Sequence, residues 1–230
     1  MRSSHILCKV NNLEQAIKNW SDLGFTVQVG DAPDKAINAL IWFETGPFIE
    51  LIDVKGAQPP TVFRWLMKMI SPNGMVRRFE NWQKAPEGWC EFSLETHEGS
   101  VRPLVDTFKK TGIKIFGPVT NKRTPPDSPM ITTQTAFPHI TALPILMGAY
   151  RPDPRPTEIT HPNGATAVCN VTVGVPDEYR QQWSVVADED DPWLTLVSGH
   201  PGVQSVTLAG LQREIDPKLA NGAVIQAGGV

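Results

Sequence analysis

Cysteine is scarce in this chain of 230 residues: three thiols, Cys8, Cys90 and Cys169, widely spaced and odd in number. They form no CxxC pair, which argues against a zinc knuckle or a disulfide framework. Each lies in an apolar strand-like run, where a free thiol behaves as a small buried hydrophobe, and unpaired thiols suit a reducing cytoplasm. Long apolar runs are missing too. Nothing approaches the roughly 20 residues of a transmembrane helix, and Met1-Arg-Ser-Ser-His5 leads into a strand with no apolar signal segment. A soluble cytoplasmic protein is the expectation. Neither sign of charge is in excess: a net charge of −3 and a pI near 6.0 leave no footprint for nucleic acid or an anionic membrane. The most basic cluster, Lys109, Lys110 and Lys114, reads as a solvated helix face. No GxSxG, P-loop or dinucleotide fingerprint occurs.

What is present is ordinary globular material. Hydrophobic residues make up 40% of the chain and charged residues 20%, enough for a sizeable core in one domain or two compact ones. His5-Ile-Leu-Cys-Lys-Val10 reads as a short apolar strand. Leu13, Ile17, Trp20 and Leu23 then recur at helical spacing behind Asn12, a natural N-cap, and Gly24 stops the helix. Strands are expected over 25–29, 38–45 and 47–54, with Gly46-Pro47 as the turn into the last. Residues 61–83 change character. The apolar residues from Val62 to Ile70 suggest a helix and 75–82 a second short one, an insertion that either packs in the core or covers a cavity mouth.

The opening pattern then returns. Cys90-Glu-Phe-Ser-Leu-Glu95 is strand-like, and residues 99–110 place Val101, Leu104, Val105 and Phe108 on one helix face. Thr111-Gly112-Ile113 matches Leu23-Gly24-Phe25 at an offset of 88 (112 − 24). Runs over 114–119, 130–137 and 142–150 complete this unit. Four prolines between Pro152 and Pro162 favour an extended path. Beyond them, 167–175, 177–187, 193–197 and 203–212 give another strand, helix, strand, strand series, with 223–226 as a final strand. The expected organisation is a first βαβββ module over 1–55, a helical insertion over 56–88, a second βαβββ module over 89–151, a Pro-rich connector over 152–166 and a partial third module over 167–230.

Taken in order, several segments resemble the vicinal oxygen chelate superfamily and, within it, the glyoxalase-like domain family. They are His5-Ile-Leu with Asn12-Leu13, Leu23-Gly24-Phe25, Asn38-Ala-Leu-Ile41, Phe48-Ile-Glu-Leu-Ile52, Lys122-Arg123-Thr-Pro125, Phe137-Pro138, Leu143-Pro144, and His161-Pro-Asn-Gly-Ala165 with Val171-Thr-Val173. The resemblance implies an α+β fold of repeated βαβββ modules whose curved mixed sheets form a cup. It also implies a divalent metal in that cup, such as zinc, iron, manganese or nickel, at which a substrate chelates through neighbouring oxygens. His5 matches the first-strand ligand and Glu50 the fourth-strand ligand. The second module brings no such pair: Ser93 stands where His5 does, and residues 145–148 carry no carboxylate. In the third copy Asn170 takes that place. Two protein ligands are few, since catalytic zinc usually has three.

Read on chemistry alone, an imidazole and a carboxylate brought together by strand pairing make half of a divalent-metal site. Glu50 lies amid Phe48, Ile49, Leu51 and Ile52, so an inward-facing carboxylate there needs a metal, a cation or several hydrogen bonds. Desolvation would also suit it to general-base work. The bland alternatives are a rim histidine bonded to backbone and a solvated glutamate on an edge strand. His139 and His161 are candidate third ligands, although both sit in turn-like sequence; His97 and His200 flank loops. Asn38 and Trp42 share a face of the strand beside Glu50, so both could contact a substrate. Arg123, expected in a Pro-rich loop, could meet an anionic one. The acidic run 188–191 reads as a solvated loop.

The leading expectation is therefore a small-molecule enzyme, with a metal on His5 and Glu50 or with Glu50 as a base. Its reaction class is open among isomerase or lyase, dioxygenase and hydrolytic chemistry. The rival is a non-catalytic binding protein whose apolar cup sequesters a small molecule. A third option is a structural protein whose modules pair across a homodimer without a ligand.

Overall fold

The computed structural model of the chain describes residues 1–31, 36–55, 74–124, 129–187 and 190–228. Alternation of side chains along its strands sets the architecture. In β1 (Arg2–Val10), Ile6, Cys8 and Val10 are fully buried in the main core, while His5, Leu7 and Lys9 point to the opposite face. Helix α1 (Leu13–Asp22) follows, then β2 (Gln28–Val29), β3 (Asn38–Ile41) and β4 (Phe48–Asp53). Helix α2 (Met75–Lys84) precedes β5 (Gly88–Glu95), α3 (Arg102–Lys110), β6 (Ile115–Arg123), β7 (Ile131–Pro138) and β8 (Ile145–Met147). Last come β9 (Ala167–Val175), a 3₁₀ turn (Asp177–Tyr179) leading into α4 (Arg180–Trp183), β10 (Leu194–Ser198), β11 (Gly202–Ala209) and β12 (Ile225–Ala227).

Strands β1 to β8 form one mixed sheet in the order β2-β3-β4-β1-β5-β8-β7-β6. Its halves repeat. β1 runs parallel to β4 and β5 parallel to β8, and the outer pairs in each half are antiparallel. The halves join where β1 and β5 pair antiparallel, with His5 opposite Ser93. The sheet stays open, because its outermost strands β2 and β6 are not neighbours. A second sheet has the order β10-β9-β11-β12; there β10 lies directly beside β9 and parallel to it. Both sheets contribute to a single core with α1 and α3, which bury Trp20 and Phe108.

Local signals explain the helix ends. The Asn12 side chain accepts a bond from the Gln15 N–H at 2.9 Å, capping α1. Gly24 (φ +84°) and Gly112 (φ +78°) take the left-handed conformation just past α1 and α3. The next residue then bonds back to the helix, from Phe25 N to Trp20 O and from Ile113 N to Phe108 O, both at 3.0 Å. The repeated Gly thus marks one stop built twice.

Other expectations needed correction. The strand over 25–29 shrinks to Gln28–Val29, because the Phe25 N–H closes the helix and the Thr26 N–H goes to the His161 ring. The strand over 38–45 ends at Ile41, where the next carbonyls are taken by His161 (on Trp42 O) and Arg155 (on Phe43 O). Arg123 is not in a loop: it ends β6, paired with Ile131. Cys169 is exposed, on an outward position of β9. Asp191 is buried rather than solvated, accepting the Ser3 N–H at 2.6 Å and the Ser3 hydroxyl at 2.8 Å. The helix expected from Val62 to Ile70 lies outside the described residues; the one expected near 75–82 is α2.

Helix α2 is fastened by two cations. Lys9 reaches from β1 to the carbonyls of Gln83 (3.2 Å) and Ala85 at the helix C-terminal end. Arg78, 1% exposed, pairs with Glu91 at 2.6 Å and donates to the carbonyls of Pro138, Ile140 and Leu143. Burial pushes the Glu91 carboxyl up, and Arg78 is the charge that opposes the shift. Arg78→Leu is expected to destabilise the fold by about 3–5 kcal/mol, since it strands a buried carboxylate. Urea unfolding of both proteins checks this, and an unchanged midpoint would contradict it.

Candidate functional site

The concave face of the eight-stranded sheet encloses a cavity of about 300 Å³. Alternation decides its lining: residues two apart on each strand face it, as with His5 and Leu7, Phe48 and Glu50, and Asn121 and Arg123. Phe79 and Trp82 of α2 close one side. Glu50 supplies the one carboxylate in this lining among the described residues.

His5 is 5% exposed, its ring stacked on Phe48 with centroids 4.8 Å apart. Its Nδ1 lies 3.3 Å from Ser4 Oγ, and that hydroxyl donates to Glu95 Oε2 at 2.9 Å. Arg2 holds the other Glu95 oxygen at 2.6 Å. A carboxylate only accepts, so the single Ser4 proton goes to Glu95 and the hydroxyl oxygen accepts from His5 Nδ1–H. Nε2 is therefore the unprotonated nitrogen. It accepts from the Ser93 hydroxyl at 3.2 Å and lies 3.5 Å from Glu50 Oε2. The ring is neutral near pH 7: burial lowers its pKa below 6.5, outweighing the Glu50 and Glu95 carboxylates. The His5/Glu50 contact is thus a lone pair facing a carboxylate, not an ion pair. The Asn38 amide donates to Glu50 Oε1 at 2.7 Å, which fixes the carboxylate and leaves Oε2 toward His5.

Two unprotonated donors facing each other suit a cation between them. A tetrahedral zinc-like ion bonded to nitrogen and oxygen at about 2.1 Å would hold them about 3.4 Å apart, and the observed span is 3.5 Å. The pair therefore fits a divalent ion, and the Ser4–Glu95 chain is hydrogen bonding of the kind that would orient a ligating histidine. No group of three His, Cys, Asp or Glu side chains gathers to hold an ion among the described residues. Sheet register shows why. Ser93 pairs with Ile145 as His5 pairs with Phe48, so the second half carries Ser93 and Met147 where the first has His5 and Glu50.

The remaining candidates separate cleanly. Arg123 and Asn38 line the cup. Trp42 does not: it packs behind Phe48 with centroids 4.2 Å apart, donates to Gln28 and lies beneath Arg155 beside a neighbouring hollow of about 260 Å³. His161 has both nitrogens committed, Nδ1 accepting from Thr26 N at 2.9 Å and Nε2 donating to Trp42 O at 2.8 Å, so it has none left for a metal. His139 lies outside the cup lining, and His97 and His200 are exposed. Ser4, Glu95, Asn121, Thr135 and Tyr150 were not anticipated. Polar residues at alternate strand positions (Ser93 and Glu95, Asn121 and Arg123) were the available signal.

The profile of the glyoxalase-like domain family matches residues 4–187, and the chain belongs to that family. Among curated proteins no sequence matches. Solved structures share the fold. A hypothetical protein from Staphylococcus aureus is 12% identical over 99% of this chain and 98% of its own, with a TM-score of 0.68. The Mn(II)-bound glyoxalase from Novosphingobium aromaticivorans is 10% identical over 96% of this chain and 68% of its own, with a TM-score of 0.54. Homoprotocatechuate 2,3-dioxygenase from Brevibacterium fuscum is 10% identical over 91% of this chain and 56% of its own, with a TM-score of 0.51. At these identities the likeness is one of fold. No described helix is long and apolar enough to cross a membrane.

Two measurements follow from the histidines. Long-range ¹⁵N–¹H spectra of metal-free protein should show His5 as the Nδ1–H tautomer, and Glu95→Gln should mix in the other form; a dominant Nε2–H form in the wild type contradicts the assignment. His5 and His161 also tie stability to pH. Burial lowers both folded pKa values below the ordinary 6.5, so the unfolded chain takes up protons first. Stability is then fully present above about 6.5 and falls on acidification, by at most about 1.4 kcal/mol per pH unit for each group. Urea titrations at pH 7, 6 and 5 test the slope, and a flat profile contradicts it.

Proposed function

We propose that this protein is a small-molecule enzyme of the glyoxalase-like type, its chemistry centred on His5 and Glu50. The observation that carries the reading is the 3.5 Å approach of His5 Nε2, its lone pair exposed by the Ser4–Glu95 chain, to Glu50 Oε2. A divalent ion held by these two atoms would supply Lewis acidity to a substrate carbonyl or enolate, its open positions taken by water or substrate oxygens. Asn38 keeps the carboxylate turned toward the histidine. Without an ion, Glu50 Oε2 is the cup's acceptor for a substrate proton. Burial pushes the Tyr150 phenol up, so it stays neutral and can donate a hydrogen bond into the same space. Arg123 receives the anionic part of the substrate.

Proton-transfer chemistry, isomerase or lyase, is favoured over ring-cleaving oxygenation. A two-histidine, one-carboxylate iron site needs three protein ligands, and the second half contributes Ser93 and Met147 instead. A cytoplasmic setting is the companion proposal, supported by the free thiols of Cys8, Cys90 and Cys169.

Calorimetric titration of metal-stripped protein with zinc, iron(II), manganese or nickel tests the reading. One ion should bind per chain, and His5→Gln or Glu50→Gln should weaken it at least about tenfold. Protein that takes up no ion, and whose small-molecule binding survives both substitutions, is instead the non-catalytic sequestering protein.

A further inference from the structure

We infer that the cup selects a small monocarboxylate with a single-ring apolar body, the carboxylate on Arg123 and the body against Phe79, Trp82 and Phe137. This names a substrate class for the proposed site and rests on that reading for the chemistry at the other end of the ligand.

Charge comes first. Arg123 ends β6 half-buried, lines the cup, and has no carboxylate within ion-pair range among the described residues. Its guanidinium is felt at both His5 and Tyr150, which places the charge in the cup rather than in solvent. Lys9, on the same face of β1 as His5, is not available, because it is committed to the carbonyls that end α2. The lining therefore holds one positive and one negative side chain among the described residues, Arg123 and Glu50. A monoanion neutralises Arg123. In the metal-free cup a dianionic phosphate would leave a surplus negative charge facing Glu50.

Hydrogen-bonding geometry agrees. The planar guanidinium fork matches a carboxylate. Beside it, Asn121 donates to Thr135 Oγ1 at 3.0 Å, so the Thr135 hydroxyl keeps its own proton for an incoming acceptor. Thr133, by contrast, spends its proton on Gly148 O at 2.7 Å.

Shape sets the body. Away from this polar wall the lining is aliphatic and aromatic: Leu7, Ile52, Ile145 and Met147 from the sheet, Phe79 and Trp82 from α2. A volume of about 300 Å³ is at the small end for ligand pockets. It accommodates one substituted ring.

Calorimetry on the purified, metal-stripped protein with phenylacetate, phenylacetamide, acetate and phenyl phosphate tests this. Phenylacetate should bind at one per chain, with the other three at least about tenfold weaker. Arg123→Gln should bring phenylacetate down to the level of the amide, and Arg123→Lys should fall between. Unchanged amide binding by Arg123→Gln shows that the variant is folded. Trp82→Ala should weaken all three ring probes and leave acetate unchanged. The inference is overturned if the amide binds as well as the acid, if Arg123→Gln keeps full affinity for the acid, or if none of the probes binds. Metal titration on the same samples separates the two readings. Acid preference without metal uptake sinks the metal site alone, and metal uptake without acid preference sinks this inference alone.

Discussion

Antiparallel pairing of β1 with β5 is the contact on which the rest of the molecule depends. It welds two four-stranded halves into one curved sheet and sets His5 against Ser93 at the centre of the concave face. Because side chains alternate along a strand, the same register that sends Ile6, Cys8 and Val10 into the core sends His5 and Leu7 into the cup. A slip of one residue would exchange the two sets. The register is held by core packing, so the site's geometry rests on the burial of residues that never touch it.

That arrangement gives the two halves different work. One face of the first half carries an imidazole and a carboxylate; the equivalent places in the second carry a hydroxyl and a thioether. The second half contributes instead the polar wall of Asn121, Thr135 and Arg123 and the hydroxyl that contacts His5 Nε2. An internal repeat of backbone has thus become an asymmetric cup, with an imidazole and a carboxylate at one side and a guanidinium at the other. Its electrostatics follow from burial. Desolvation keeps His5 neutral despite two nearby carboxylates, and the Ser4–Glu95–Arg2 chain determines which nitrogen is left bare. The buried anchors of α2, Arg78 and Lys9, keep Phe79 and Trp82 over the apolar side of the cup.

Much of the fold was legible because its signals are local. The Asn12 cap, the Gly24 and Gly112 stops and the 88-residue offset between them depend only on neighbours in the chain, and each holds. The family was legible for a related reason: the order of short motifs reflects a repeated local unit, and the family match over 4–187 agrees. Strand ends were not legible. Whether Thr26 or Trp42 belongs to a ladder is decided by His161, more than 100 residues away in sequence, which takes their backbone groups. Trp42 missed the cup for a similar reason, since Phe48 from the next strand fills the space in front of it. Arg78 gave no signal at all, because a charged residue on a helix is normally solvated and only the carbonyls of Pro138, Ile140 and Leu143 make its burial tenable.

The sequence by itself determined the periodicities: which residues share a strand face, where helices stop, that the unit is duplicated, and that His5 and Glu50 are a candidate pair. Tertiary structure decided what those residues face. The tautomer of His5, the pairing of Asn38 with Glu50, the place of Arg123 in the cup lining and the exclusion of His161 each depend on contacts between segments far apart in the chain. Local propensity places a side chain on a face; only packing tells it which partner, and how little water, it will find there.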